Sequence, residues 1–215
     1  LQVDAAEARV GLGLPADATL VALLPGSRVS EVSRLAVPML ETALRCSRAR
    51  PGIRFVVPLV SDRLYREFDA RRREIAPDID CLLLHGRSRE AIAAADCVLT
   101  ASGTATLETL LLKRPMLVAY HIHPLTYRLV IALKLIKVPY AAMANLLAGR
   151  ELAEEFLQAR CTADLMSPAL LALLDDLPRR AAISAEYDRI HRQLRHDAGR
   201  QAADAVLDLL AGIAP

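Results

Sequence analysis

A chain of 215 residues that is 53% hydrophobic can bury a full core, either as one domain of α/β size or as two small ones. Its 27 basic and 25 acidic residues leave a net charge of +2, too weak a bias to indicate nucleic acid as a partner. With 4% aromatic residues and no Trp, the expected core is Ala, Leu and Val helices packed on a parallel sheet.

In chain order, Asp4 to Gly11 reads as a short helix ended by the Gly11–Pro15 run. Thr19 to Leu24 is an apolar strand stopped by Pro25-Gly26-Ser27-Arg28, and an amphipathic pattern then runs from Val29 to about Ala49. Ile53 to Leu59 is the next strand, followed by a charged helix capped at Ser61-Asp62 that ends near Pro77. Arginine is dense on this helix, at Arg63, Arg66 and Arg71 to Arg73, and reads as a solvated face. Cys81 to Leu84 is a third strand, and Ser88 to Ala95 a short helix.

The stretch Asp96 to Tyr120, DCVLTASGTATLETLLLKRPMLVAY, then gives strand, tight loop, helix and strand. Leu107, Leu110 and Leu111 carry the helical spacing, and Lys113-Arg114-Pro115 supplies the stop. Beyond Tyr120, Pro124 to Lys137 is a very apolar helix pattern with three basic residues. It suits a core or a partner domain, or alternatively a membrane interface. After the loop Asn145 to Glu151, everything reads as helix: Leu152 to Gln158, Asp164 to Leu174, Ala181 to Arg195 and Gln201 to Ala211. The alternation of strands and helices predicts a Rossmann-like parallel sheet flanked by helices over 1–140, with a helical tail over 141–215 packed on it. No apolar run reaches membrane-spanning length without a charge. The start at Leu1, without Met, reads as a domain cut from a longer protein.

Two loops follow strands and open helices, the place where open α/β sheets bind ligands. In the first, Gly26 allows a tight turn, Ser27 can cap the helix, and Arg28 can grip phosphate with two charge-assisted bonds. In the second, Ser102 and Thr104 can cap the helix, whose first-turn N–H groups and dipole suit a phosphate. Glu108 lies one turn beyond Thr104 on the same face, where a carboxylate can accept from two ribose hydroxyls. Neither loop is a GxGxxG or GxxxxGK[ST] sequence, which argues against a dinucleotide fold and a P-loop.

The Asn145 amide can match a uracil edge, and Arg150 and Glu151 can pair locally. His121 and His123 share a face if extended, but further ligands at zinc spacing are absent, so no metal site is expected. His85 follows a strand and sits where it can border the cleft. Cys46, Cys81, Cys97 and Cys161 form no CxxC pair and read as buried reduced thiols of a cytoplasmic protein.

Taken together, LLPGSRVSEV (23–32), HGRSREAIAAADCVLTASGTATLETLLLKRPM (85–116), NLLAGRE (145–151) and RQAADAVLDLL (200–210) resemble the C-terminal half of the lipid-A-disaccharide synthase family. That family is an inverting, metal-independent glycosyltransferase of the two-Rossmann-domain (GT-B) type, and the resemblance implies that this chain is its UDP-sugar donor half. It implies UDP-2,3-diacylglucosamine as donor, 2,3-diacylglucosamine 1-phosphate as acceptor, and no cofactor. Gly26, Ser27 and Arg28 match the family's first loop, with Arg28 neutralising the leaving diphosphate. Ser102, Gly103, Thr104 and Thr106 match its phosphate-binding turn, Glu108 its ribose contact, and Asn145 a loop position near the nucleotide.

The chain departs from the family at His85, usually Asp, and at Ala144, usually Pro. The N-terminal acceptor domain, with the carboxylate expected to activate the attacking hydroxyl, is outside the chain. The expected location is the cytoplasm, with contact to the inner face of the inner membrane and a homodimer both left open. Two rivals remain: a related UDP-sugar protein such as UDP-N-acetylglucosamine 2-epimerase, and a non-catalytic nucleotide-binding or interaction domain.

Overall fold

Strand β1 (Leu20–Leu24) has every residue buried and lies inside a six-stranded sheet of order β3-β2-β1-β4-β5-β6. Its neighbours are β2 (Arg54–Leu59) on one side and β4 (Cys97–Ala101) on the other, with β3 (Cys81–His85), β5 (Met116–Tyr120) and β6 (Glu155–Leu157) outside them. All five pairings are parallel. A parallel sheet covered on both faces needs strands that are apolar throughout, and LVALL, CVLTA and MLVA meet that need with burial at every position. The computed structural model describes residues 4–122 and 140–195, together with 203, 206 and 207. The apolar stretch 124–137 and most of 201–211, both read above as helices, lie outside the described residues.

The helices follow from the strand order. From β1 the chain runs through α2 (Val29–Ala49) to β2 and through α3 (Asp62–Ile75) to β3, moving one way across the sheet. It then returns over α4 (Ser88–Ala94) to β4 and continues through α5 (Thr104–Leu111) to β5, moving the other way. Right-handed crossovers therefore put the first two helices on one face and the second two on the other. Contacts agree: α2 packs on α3, whereas α4 packs on α1 (Ala5–Gly11). The amphipathic reading of α2 holds over its full length, with Val32, Leu35, Ala36, Met39, Leu40, Ala43 and Cys46 turned into the core.

Past residue 140 the outcome differs from the sequence reading. Leu152 to Gln158 is not a helix: Glu155–Leu157 is β6, paired in parallel with β5 and followed by a 3₁₀ turn at Gln158–Arg160. In Glu155-Phe156-Leu157 only the middle residue is fully buried, and three residues are too short to carry a period. Further helices among the described residues are α6 (Met143–Ala148), α7 (Ala163–Asp175) and α8 (Leu177–Leu194). Helix α7 packs on α2, joined at its ends by the ion pairs Arg45–Asp164 and Arg50–Asp175. Helix α8 packs on α5. Arg150 reaches Glu186 of α8 at 3.7 Å rather than the adjacent Glu151.

One buried side chain ties α6 to the sheet edge. Asn145 is fully buried, and its Oδ1 accepts from the N–H groups of Leu152 (2.8 Å) and Ala153 (2.9 Å). Its Nδ2 donates to the Ala153 carbonyl (2.7 Å) and to Glu155 Oε1 (2.8 Å). The Glu155 carboxylate also accepts from the N–H groups of Ala141 and Ala142. The loop before α6 is thus held by a carboxylate on β6. Removing the amide would strand several buried partners at once. Asn145→Ala is expected to lower the unfolding free energy by about 3 kcal/mol or more, read from urea denaturation.

Burial pushes the thiols of Cys46, Cys81 and Cys97 up to about 12 and that of Cys161 to about 11. The thiolate is the nucleophile, so burial suppresses the reactivity of these groups while the fold is intact. Iodoacetamide at pH 8 is expected to leave Cys46, Cys97 and Cys161 unmodified in the native chain and to alkylate them in urea, as counted by intact mass.

Candidate functional site

Between β1 and β4 the chain leaves the sheet in opposite directions, so no connection crosses the gap above their C-terminal ends. The register Leu24↔Thr100 brings the two loops out side by side. They enclose a cleft of about 340 Å³. Gly26, Ser27, Arg28 and Glu31 form one wall, and Ser102, Gly103, Thr104, Ala105 and Glu108 form the other. Pro58, Val60 and Ser88 extend it to the C-terminal end of β2 and the start of α4.

The first wall differs in detail from the sequence expectation. Ser27 does not cap α2; the N-cap residue is Arg28, and the capping group comes from inside the helix. Glu31 Oε2 accepts from the N–H groups of Ser27 (2.9 Å) and Arg28 (3.2 Å), the reach-back half of a capping box. Its Oε1 accepts from Arg28 Nη1 at 3.0 Å. Gly26 has φ +114°, a conformation that favours glycine, and a Cβ there would lie 2.5 Å from Glu31 Cβ. The Arg28 side chain is 79% exposed at the mouth. It is the one cation among the described residues lining the cleft.

On the second wall, Gly103 is the N-cap of α5 and no side chain caps that helix. The expected caps are otherwise placed. Thr104 is the first helical residue, and the Ser102 hydroxyl donates to the Ala141 carbonyl at 2.8 Å. That carbonyl belongs to the loop pinned by Glu155, so Ser102 joins the α5 turn to the α6 turn. Gly103 has φ +148°, which lets the backbone turn outward from β4. The N-terminus of α5 therefore offers N–H groups and the positive end of its dipole to the cleft. Glu108 is exposed and lines the same wall as Thr104, as their four-residue spacing predicts.

Of the residues singled out from sequence, Gly26, Ser27, Arg28, Ser102, Gly103, Thr104 and Glu108 come together around this cleft. Thr106 and Asn145 do not. Thr106 is buried, donates to the Gly103 carbonyl (2.7 Å) and accepts from Met143 N–H (3.3 Å), which shapes the turn from behind. Asn145 has its amide filled by the protein, so a uracil edge has no access to it. His85 is absent from the lining; its ring stacks on Tyr65 (centroids 4.3 Å apart) and its Nδ1 lies 3.2 Å from Asp62. Glu31 was missed, although Ser27-Arg28-Val29-Ser30-Glu31 carries the capping-box spacing from Arg28. Among the described residues no group of three His, Cys, Asp or Glu side chains could hold a metal ion, and no helix is long and apolar enough to cross a membrane.

The solved structures similar to this chain share its fold at low identity. A glycosyltransferase involved in lipopolysaccharide biosynthesis, WaaG, matches with a TM-score of 0.62 at 17% identity over 94% of this chain and 50% of that one. An Anabaena protein solved in complex with UDP-glucose matches with a TM-score of 0.60 at 15% identity, over 95% of this chain and 52% of that one. A putative UDP-N-acetylglucosamine 2-epimerase from Listeria monocytogenes matches less closely, at 0.53. At such identities the likeness establishes a shared Rossmann-like fold and nothing about the ligand.

Sequence relatives are far closer. The chain is 49% identical over 210 residues to the lipid-A-disaccharide synthase of Pseudomonas aeruginosa strain UCBPP-PA14, covering 98% of this chain and 54% of that protein. It is 47% identical to the Azotobacter vinelandii enzyme and 45% identical to that of Sodalis glossinidius. The chain spans about half the length of the curated relatives it matches. The family model for lipid-A-disaccharide synthetase matches residues 1–209, and the chain belongs to the lipid-A-disaccharide synthetase family.

Proposed function

We propose that this chain is the donor-binding part of a lipid-A-disaccharide synthase. It holds UDP-2,3-diacylglucosamine while the sugar passes, with inversion, to 2,3-diacylglucosamine 1-phosphate, forming a β(1→6) disaccharide and releasing UDP. Family membership supports the reaction. The observation that carries the binding role is the cleft itself, where the Arg28 loop and the uncapped start of α5 face each other at the reversal of strand order. The Listeria-type epimerase reading has only fold likeness behind it.

In the transfer, the acceptor hydroxyl attacks the anomeric carbon from the face opposite UDP. The bond to the leaving oxygen breaks, and its electron pair moves onto the diphosphate. Negative charge therefore grows on phosphate oxygens in the transition state, and donors aimed there lower the barrier. Arg28 would meet that charge from one wall and the first-turn N–H groups of α5 from the other. Glu108, one turn along α5, would accept from the ribose hydroxyls. The proton of the attacking hydroxyl needs a base. We assign that base to the part of the relatives' length that this chain does not span. The acylated donor and acceptor would bring the enzyme to the inner face of the inner membrane.

Calorimetry with UDP tests the binding role. Tight 1:1 binding is expected, unchanged by EDTA or magnesium. Arg28→Ala is expected to weaken it by about 10- to 100-fold, the loss of charge-assisted bonds. Glu108→Ala is expected to weaken it several-fold for UDP while leaving inorganic pyrophosphate unaffected. No heat of binding in the wild-type chain would remove the assignment.

The division of labour gives a second expectation. The 215-residue chain should bind UDP yet form no disaccharide from the acylated donor and acceptor in a mass-spectrometric assay. Synthesis by the chain alone would show that the base lies within it.

A further inference from the structure

The Glu31 side chain lies inside the cleft, folded against the turn that carries Arg28. Its two oxygens have different work. Oε2 takes the N–H groups of Ser27 and Arg28, which caps α2, and Oε1 takes Nη1 of the Arg28 guanidinium at 3.0 Å. A capping box needs only the backbone bonds. The guanidinium bond is additional and holds one corner of a planar group with five N–H donors. Beyond Nη1, no partner is recorded for the Arg28 side chain among the described residues, and the side chain is 79% exposed. The Nε and Nη2 edge is thus left open while its opposite corner is anchored.

Gly26 gives independent support. Its Cα faces the Glu31 side chain so closely that a Cβ would sit 2.4 Å from Oε2 and 2.5 Å from Glu31 Cβ. The turn thus has a cradle that any larger residue would fill, and a carboxylate occupies it. An arginine on a free loop would spend rotamer entropy on each encounter with an anion. A guanidinium already tethered at one nitrogen loses less.

We infer that Glu31 is the positioning residue for Arg28, holding the guanidinium at the cleft mouth with its free edge toward an incoming diphosphate. The inference rests on the nucleotide reading of the cleft for its ligand, but not for its geometry. Glu31 itself touches no phosphate. Its like charge favours a ligand that approaches from the guanidinium side and from α5, away from the carboxylate.

A double-mutant cycle on the full 215-residue chain tests this, with UDP affinity measured for wild type, Arg28→Ala, Glu31→Gln and the double variant. Glu31→Gln is expected to weaken UDP binding about tenfold in the wild-type background and less than twofold once Arg28 is Ala, because it acts through that side chain. Equal losses in the two backgrounds would assign Glu31 to helix capping alone and overturn the inference. Tighter binding of UDP by Glu31→Gln would overturn it too, identifying the carboxylate as a competing anion.

NMR relaxation at Arg28 Nε in the ligand-free chain provides a readout independent of the ligand. The group is expected to be ordered in wild type and mobile in Glu31→Gln, with amide shifts confined to the turn around Ser27 to Glu31 that the side chain caps. Equal mobility in both overturns the inference even if UDP binds. A wild-type chain that fails to bind UDP removes the nucleotide reading, while the relaxation result still decides the tether.

Discussion

The site exists because the strand order reverses between β1 and β4. On one side of that line the crossovers run toward β3, on the other toward β6, and right-handedness sends their helices to opposite faces. The loop after β1 and the loop after β4 consequently have no connection lying over them. They are also adjacent, since β1 and β4 are hydrogen-bonded neighbours in register from Val21↔Cys97 to Leu24↔Thr100. A cleft at this rim is a consequence of topology. Which ligand enters it is decided by the few side chains that the two loops carry.

Those side chains divide into a gripping set and a supporting set. Arg28 and the start of α5 present a positive charge and the N–H groups of a first helical turn to the cleft. Behind them stands a chain of hydrogen bonds. Glu155 on β6 holds the N–H groups of Ala141 and Ala142, and the Ala141 carbonyl accepts from Ser102. Asn145 locks the same segment to Ala153 and Glu155. Thr106 fastens the Gly103 turn to the N–H of Met143. The edge strand thereby stabilises a turn two strands away, through the buried Asn145 and Thr106 and the half-buried Glu155 and Ser102. Such networks confer rigidity when complete and are costly when one member is lost.

This division separates the family-matching residues that line the cleft from those that stand behind it. A motif residue can be retained because it touches the substrate or because it shapes the residue that does. Thr106 and Asn145 belong to the second kind, as their burial and filled hydrogen-bonding capacity require. Glu31 belongs there also, although it stands in open view of the cleft. On the far side of the sheet, Asp96 gathers Arg9, Arg180 and the N–H of Leu20. That cluster joins α1, α8 and the start of β1 at the opposite end of the strands and takes no part in the cleft.

The sequence by itself determined the alternation of elements, the βαβ unit over 97–120, the place of both glycine-containing turns and the spacing that puts Thr104 and Glu108 on one face. These are local matters, governed by periodicity, caps and chain stops that act within a few residues. It also carried enough of the family's motifs to indicate the lipid-A-disaccharide synthetase family. Tertiary structure alone decided the rest. Strand β6 shows no readable period because three residues are too few, and it is a strand only because β5 offers it an open edge. Asn145 looks like a polar loop residue until Leu152, Ala153 and Glu155 fold back around it. Whether a side chain with donors and acceptors faces a ligand or its own backbone depends on partners distant in the chain, and one-dimensional spacing holds no record of them.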